Sequence, residues 1–286
     1  MDFVAGPACR LQFQRIRIRK GFGGFSPPEL SCRIGCCCAN FRTELNSHIK
    51  PYNSDASKKE EVAEMFNNIS GSYDFLNRFF SLGIDVIWRK KALQQVKKSQ
   101  PDVILDMATG TADFAILAAR QGIGNKIIGM DISAGMIEVG NKKIHQQNLQ
   151  QVISLRIADS ESIPLNDASV DVCMVAFGVR NFQDLQQGLK EIFRVLKPHG
   201  RIVVLEFSKP TVLPVKWLFG FYFKILMPFV GRWISKDKRA YSYLPESVDA
   251  FPCGEDFLNQ LRGAGFQESN VESLSGGIAS IYCGSK

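Results

Sequence analysis

The chain has 286 residues, 45% of them hydrophobic and 22% charged, so it can bury the core of one large domain and is not disordered throughout. Of its formal charge of +7, residues 1–48 carry +4, through Arg10, Arg15, Arg17, Arg19, Lys20, Arg33 and Arg42 against Asp2, Glu29 and Glu44. The remainder is nearly balanced and shows no basic cluster, which argues against a nucleic-acid partner, and no Cys or His spacing suits a metal site.

Residues 1–48 lack sustained periodicity and are rich in Arg and Gly. They read either as an organellar targeting peptide or as an extension with no fold of its own. Five of the eight cysteines fall there, and the other three, Cys173, Cys253 and Cys283, are far apart, which fits a reducing compartment.

From Ser57 the pattern turns helical. Val62, Met65, Phe66, Ile69, Tyr73, Leu76 and Phe80 recur at three- and four-residue steps, and Ser57 with Glu60 matches a capping box. One or two helices broken near Ser70-Gly71 are predicted, then another over Val86–Lys98, so residues 49–100 read as a helical cap.

Residues 101–286 alternate strand and helix. Val103-Ile104-Leu105-Asp106 is a strand, the small residues up to Ala112-Asp113 a tight turn, and Phe114, Ile116 and Leu117 open a helix. Lys126–Asp131 is a second strand, Met136–Ile144 a helix, and Val152–Ile157 a third strand that ends at Ala158-Asp159-Ser160. Val170–Phe177 is apolar enough to be buried on both faces and runs into Gly178-Val179-Arg180-Asn181. A helix with Phe182, Leu185, Leu189, Ile192, Phe193 and Leu196 on one stripe closes at Lys197-Pro198-His199-Gly200, and Arg201–Phe207 is the fifth strand. Such alternation predicts an α/β fold with a doubly wound, mostly parallel sheet.

The aromatic run over residues 212–234 is interrupted by Pro214, Lys216, Lys224, Pro228 and Arg232, which disfavours a transmembrane helix. It reads as a core helix with a hairpin partner or as a lid that meets lipid, within an insertion over 212–250. A helix over Glu255–Arg262 and two closing antiparallel strands, Phe266–Leu274 and Ile278–Tyr282, complete the domain.

The first turn sets backbone N–H groups and the positive end of a helix at the carboxyl edge of a parallel sheet, where α/β folds bind nucleotides. The G-x-G-x-x-G fingerprint of a nicotinamide enzyme is not met, because only Gly110 stands there, between Ala108 and Ala112. The series Asp106, Gly110, Asp131 and Asp159 suits S-adenosylmethionine better. Asp106 can lie near its amino-acid part, Asp131 can hold the ribose hydroxyls, and Asp159 can accept the adenine amino N–H. Any one of these acids also suits a helix cap or a turn, so the signal is their joint placement at three strand ends.

Longer segments carry a family resemblance. They are Met65-Phe66-Asn67-Asn68-Ile69-Ser70-Gly71-Ser72-Tyr73-Asp74, Ser81-Leu82-Gly83-Ile84-Asp85 with Trp88-Arg89-Lys90, Phe193-Arg194-Val195-Leu196-Lys197-Pro198 and Tyr243-Leu244-Pro245-Glu246-Ser247. Most specific are Ala176-Phe177-Gly178-Val179-Arg180-Asn181 and Val204-Leu205-Glu206-Phe207-Ser208-Lys209-Pro210. Over residues 50–286 the sequence resembles the ubiquinone/menaquinone biosynthesis C-methyltransferases of the UbiE/MenG type. It looks most like the bacterial demethylmenaquinone enzymes whose loop reads Ala-Thr-Gly-Thr-Ala-Asp.

The resemblance implies a class I S-adenosylmethionine-dependent methyltransferase of Rossmann-like fold. Its sheet would have seven mostly parallel strands, the last antiparallel, with helices on both faces and an N-terminal helical cap. It implies cofactor contacts at Thr111, Asp131, Asp159 and Ser160, and C-methylation of a demethylated polyprenyl quinol, demethylmenaquinol or its ubiquinone or phylloquinone equivalent. It also implies a cytoplasmic enzyme with peripheral contact to membrane lipid, or a mitochondrial or plastid one if residues 1–48 are a targeting peptide. A homo-oligomer or a quinone-biosynthesis complex fits as well. Two departures stand out: many relatives have Gly-Gly-Thr-Gly at Thr109-Gly110-Thr111-Ala112, and some have Ser at Ala176.

The expected acceptor is the reduced quinol, whose ionised hydroxyl makes the ring carbon nucleophilic. Arg180 is expected to stabilise the phenolate, with Asn181 beside it and proton removal through water or Tyr73. The competing readings make Arg180 a structural ion pair, Asn181 a helix cap and Tyr73 a core residue. A nucleic-acid methyltransferase lacks its Asn/Asp-Pro-Pro-Tyr motif here, whereas a non-catalytic member of a quinone-biosynthesis assembly remains an alternative.

Overall fold

In the computed structural model of the protein, the strand-period and helix-period segments build one sheet with helices on both faces. The described residues are 49–286 except 82, 211, 215, 216, 218, 219 and 221–237. The expectations for residues 1–48, and most of those for the aromatic run, lie outside them.

Among the described residues three helices come first: α1 (Lys58–Ile69), α2 (Tyr73–Ser81) and α3 (Ile84–Lys97). The expected capping box is present at α1, where Ser57 Oγ accepts from the Glu60 N–H and the Glu60 carboxylate accepts from the Ser57 N–H at 2.8 Å. Strand β1 (Val103–Met107), α4 (Asp113–Arg120), β2 (Lys126–Asp131), α5 (Ala134–Gln146), β3 (Ile153–Ile157) and β4 (Val170–Ala176) follow the predicted alternation. A 3-10 turn over Val179–Asn181 leads to α6 (Leu185–Val195), β5 (Leu196–Phe207), α7 (Lys238–Ala250), α8 (Glu255–Gly263), β6 (Gln267–Leu274) and β7 (Ala279–Ser285).

The strand order is β3-β2-β1-β4-β5-β7-β6, and β7 alone runs against the others. The backbone winds outward from β1 to β3, then returns to place β4 on the other side of β1. The crevice between the carboxyl ends of β1 and β4 is therefore the switch point of the sheet.

Adjacent residues of a strand point to opposite faces, and both faces are covered. Val172 and Met174 join Ile104, Ile127 and Val203 under α3 and α4, while Cys173 and Val175 join Leu105, Met130, Leu189 and Phe257 under α6 and α8. Each such side chain stabilises the fold by about 1.5–3 kcal/mol through removal from water. Helix α3 adds Trp88, Ala92, Leu93 and Val96 to this core, and α1 packs Val62, Met65 and Ile69 on Met136 of α5 and Tyr243 of α7.

One boundary differs from expectation. Asp184 caps α6, its side chain accepting from the Gln187 N–H at 3.0 Å, so Phe182 precedes the helix. Leu196 is already extended and pairs with Val170, which draws Lys197-Pro198-His199-Gly200 into β5 across a register shift. Strand pairing overrides the helical stripe there.

Candidate active site

The turn after β1 explains its small residues. Ala108, Gly110 and Ala112 all have left-handed backbone, with φ of 55°, 56° and 65°. A bulky side chain at any of them would cost about 1–2 kcal/mol, and the two alanines accept that strain where a dinucleotide fold would use glycine. Asp131 braces the turn from the end of β2: one carboxylate oxygen accepts from the Gly110 N–H at 2.8 Å and the other from the Ser133 N–H at 2.9 Å. Burial pushes the Asp131 carboxyl above its ordinary range, and the N–H donors of Ser133, Gly110 and Ile132 oppose the shift.

Asp106 lies deeper. It is 1% exposed beneath the turn, where it accepts from Thr109 Oγ1 at 2.6 Å, and burial raises its carboxyl to about 7. It does not line the cleft, so its expected contact with the amino-acid part of the cofactor is not supported by its position. The same holds for Thr111, whose hydroxyl donates to Asp74 at 2.5 Å and accepts from Lys143 at 3.1 Å. Lys143 also pairs with Asp113, so this polar cluster ties α2, α4 and α5 together.

The second wall is the end of β4. Phe177 also has left-handed backbone, at φ 60°, and Gly178 passes so close to the first turn that a Cβ there would stand 2.5 Å from that of Ala108. In the 3-10 turn that follows, Arg180 and Asn181 part company. The Arg180 guanidinium pairs with Glu206 at 2.8 Å, donates to the Phe177 carbonyl and sits over the Phe207 ring, away from the cleft wall. Its reading as the group that touches a phenolate gives way to the ion-pair reading, because Glu206 of β5 captures the charge. Asn181 does line the cleft, and Tyr243 donates to its Oδ1 at 3.2 Å.

The helical cap closes the front. Tyr73, Phe66, Val62 and Lys59 face the cleft, Tyr73 packing edge-on against Phe66 at 5.8 Å. Burial raises the Tyr73 hydroxyl from its ordinary value, so it keeps its proton at neutral pH, which argues against the expected proton removal through it. Lys59 bonds to Asp159 at 2.9 Å, which raises the lysine, and the other Asp159 oxygen accepts from the Glu161 N–H. Asn67 anchors the cap to α5 by accepting from Ser133 Oγ and the Gly135 N–H.

These walls enclose an open-mouthed cleft of mixed polar and apolar lining, the kind of concave surface that takes a small molecule. Gly110, Asp131, Asp159, Ser160, Tyr73 and Asn181 come together in it. Carboxylates at the ends of β2 and β3 suit ribose hydroxyls and an adenine amino group, and the turn lacks the second and third glycines of a dinucleotide fingerprint. The lining therefore fits S-adenosylmethionine. Lys59, Phe66, Phe177 and Tyr243 escaped residue-level reasoning, although all but Lys59 fall in the segments that carried the resemblance.

Comparison with known proteins agrees. The model of the ubiE/COQ5 methyltransferase family matches residues 54–286. The chain belongs to the ubiE/COQ5 methyltransferase family. It is 45% identical over 238 residues to a demethylmenaquinone methyltransferase of Bacteroides fragilis, covering 83% of this chain and 97% of that protein. It is 44% identical over 230 residues to the ubiquinone/menaquinone biosynthesis C-methyltransferase UbiE of Geotalea daltonii, covering 80% and 97%.

Among solved structures, the fold is that of the [4+2]-cyclase SpnF, with TM-score 0.59 and 15% identity over 80% of this chain and 96% of that one. A SAM-dependent methyltransferase of Aquifex aeolicus shares it at TM-score 0.51 and 16% identity, over 69% and 88%. As a ubiE/COQ5 family member the protein is a methyltransferase whose methyl donor is S-adenosylmethionine.

Proposed function

We propose that this protein methylates a ring carbon of a demethylated polyprenyl quinol, converting demethylmenaquinol to menaquinol in quinone biosynthesis. The observation that carries this reading is that Tyr73 and Asn181 line the same cleft as Gly110 and Asp131, so acceptor and methyl donor share one space. When bound, S-adenosylmethionine supplies an electrophilic sulfonium methyl.

Asp131 is assigned to the ribose hydroxyls, and Asp159 with Ser160 to the adenine end. On the acceptor side the Tyr73 hydroxyl and the amide N–H of Asn181 donate to the oxygen that gains negative charge as the quinol ionises, which makes the neighbouring ring carbon nucleophilic. The Tyr243 bond to Asn181 Oδ1 leaves that N–H end for the cleft. Arg180, held by Glu206, braces the turn that carries Asn181. The proton leaves through water.

Apolar Val62, Phe66, Met136, Phe177 and Phe182 suit an aromatic ring and the first part of a prenyl tail. Among the described residues no helix is long and apolar enough to cross a membrane. Exposed Val212, Leu213 and Trp217 support a lipid-facing edge from which such an acceptor would enter.

The test is to incubate purified protein and S-adenosylmethionine with a demethylated naphthoquinone bearing a short prenyl tail, oxidised or chemically reduced, and to identify products by mass. Ring methylation of the reduced form alone is expected. No methylation of either form overturns the reading.

A further inference from the structure

Lys58 and Lys59 open α1 side by side, yet their ammonium groups go to different walls. Lys59 reaches Asp159 on the side assigned to the methyl donor. Lys58 is buried at 2% exposure and donates to the backbone carbonyls of Arg180 at 3.2 Å and Phe182 at 3.1 Å, the two residues that flank Asn181. A cation in the first turn of a helix opposes the helix dipole, and burial strips its hydration, so this location is unfavourable without strong acceptors.

Among the described residues, Arg180 of the 3-10 turn and Glu161 of the loop after β3 are charged groups that act on it. Burial and Arg180 push its ammonium down to about 7, against Glu161. Either charge state keeps N–H donors for the two carbonyls.

We propose that Lys58 is a positioning residue for methyl transfer: by bridging the carbonyls on both sides of Asn181, it holds the Asn181 amide at the cleft wall, in register with Tyr73 on the same helical cap. This rests on the acceptor-side reading of Asn181 given above. Other bonds shape the turn, from Asn181 N–H to the Gly178 carbonyl at 3.0 Å and from Phe182 N–H to the Val179 carbonyl at 3.2 Å. They lie within one stretch of backbone, whereas Lys58 ties it to the cap. The Lys58 ammonium thereby links the turn that carries Asn181 to the cap that carries Tyr73, beside the Arg180–Glu206 pair and the Tyr243 bond that hold the turn from β5 and α7.

The experiment compares Lys58→Met, Lys58→Arg, Asn181→Ala and the Lys58→Met/Asn181→Ala double variant in the full-length protein. It reads kcat with the reduced demethylated naphthoquinol, S-adenosylmethionine affinity by calorimetry, and thermal unfolding. Lys58→Met is expected to lower kcat about 10- to 100-fold with cofactor affinity kept within about threefold, and Lys58→Arg to recover part of the loss. If Lys58 acts through Asn181, the double variant is no slower than Asn181→Ala alone.

Wild-type kcat in Lys58→Met, or losses that multiply in the double variant, overturns the proposal while leaving the role of Asn181 intact. Wild-type kcat in Asn181→Ala overturns the acceptor-side reading itself and this inference with it. If Lys58→Met does not fold, Lys58→Arg and Lys58→Gln carry the comparison: reduced kcat with retained cofactor affinity supports the proposal, and wild-type kcat in both overturns it.

Discussion

Arg180 Nη1 stands 2.8 Å from Glu206 Oε1, and the second oxygen of Glu206 accepts the Arg180 backbone N–H at 3.3 Å. Both side chains are buried, so either one alone would be an uncompensated charge in the core. Glu206→Ala and Arg180→Ala are each expected to lower unfolding free energy by about 3–5 kcal/mol in urea titrations. Lost turnover in Arg180→Ala therefore needs a stability measurement beside it. A single variant that unfolds like wild type would show that the pair does not hold this turn.

Tyr73 keeps its proton at neutral pH because burial raises it. Tyr73→Phe removes a donor from the acceptor side and should lower kcat about 100-fold, with S-adenosylmethionine affinity unchanged by calorimetry. No inflection from Tyr73 is expected in the pH–rate profile below 10. Turnover at the wild-type rate would remove Tyr73 from the site.

Asp131 bonds the Gly110 and Ser133 N–H groups while facing the cleft. Asp131→Ala loses both this brace and the proposed ribose contact, and calorimetry should show S-adenosylmethionine binding weakened by about 10- to 100-fold. Unaltered affinity would place the ribose elsewhere.

Asp106 gives stability a pH dependence of definite sign. Its carboxyl is raised from 3.8 to about 7, so between these values the folded protein holds a proton that the unfolded protein has released. Stability falls as pH rises through that window, and the loss is complete above about 7. Asp106→Asn keeps an acceptor for Thr109 and removes the titration. The drop in unfolding free energy from pH 5 to pH 8 should shrink by about 1–3 kcal/mol. Lys58, lowered from 10.5 to about 7, acts in the opposite sense, adding stability as pH rises between those values.

Gly178→Ala tests the contact of the two turns. The added Cβ would stand 2.5 Å from that of Ala108, which has no flexible end to swing aside. Destabilisation of about 1–3 kcal/mol and weaker cofactor binding are expected from thermal unfolding and calorimetry. An unchanged melting temperature would mean that the turns can separate without cost.

What depends on near neighbours was legible in the residues themselves. The capping box at Ser57 and Glu60, the two-faced apolar strand at Val170–Ala176 and the strand-end acids Asp131 and Asp159 follow from local spacing. The small residues Ala108, Gly110 and Ala112 marked a tight turn between strand and helix; that the backbone is left-handed at all three came from the structure.

Long-range partners decided the rest. Asp106 and Asp131 carry the same signature at the end of a strand, but one lies under the turn and the other opens on the cleft. Arg180 and Asn181 are adjacent, and Glu206, 26 residues on, draws the first away from the cleft while Tyr243, 62 residues on, meets the second. Lys58 finds its carbonyls 122 and 124 residues away, a separation at which no pattern in the sequence distinguishes it from Lys59.

The sequence by itself determined the α/β alternation, the nucleotide-binding edge and the choice of a methyl donor over a dinucleotide, because periodicity and turn chemistry act over a few residues. Only the tertiary structure decided which of the candidate groups face the acceptor. That outcome depends on where buried charges find partners, and desolvation makes each charge go to the partner the fold places nearest, whatever its distance in sequence.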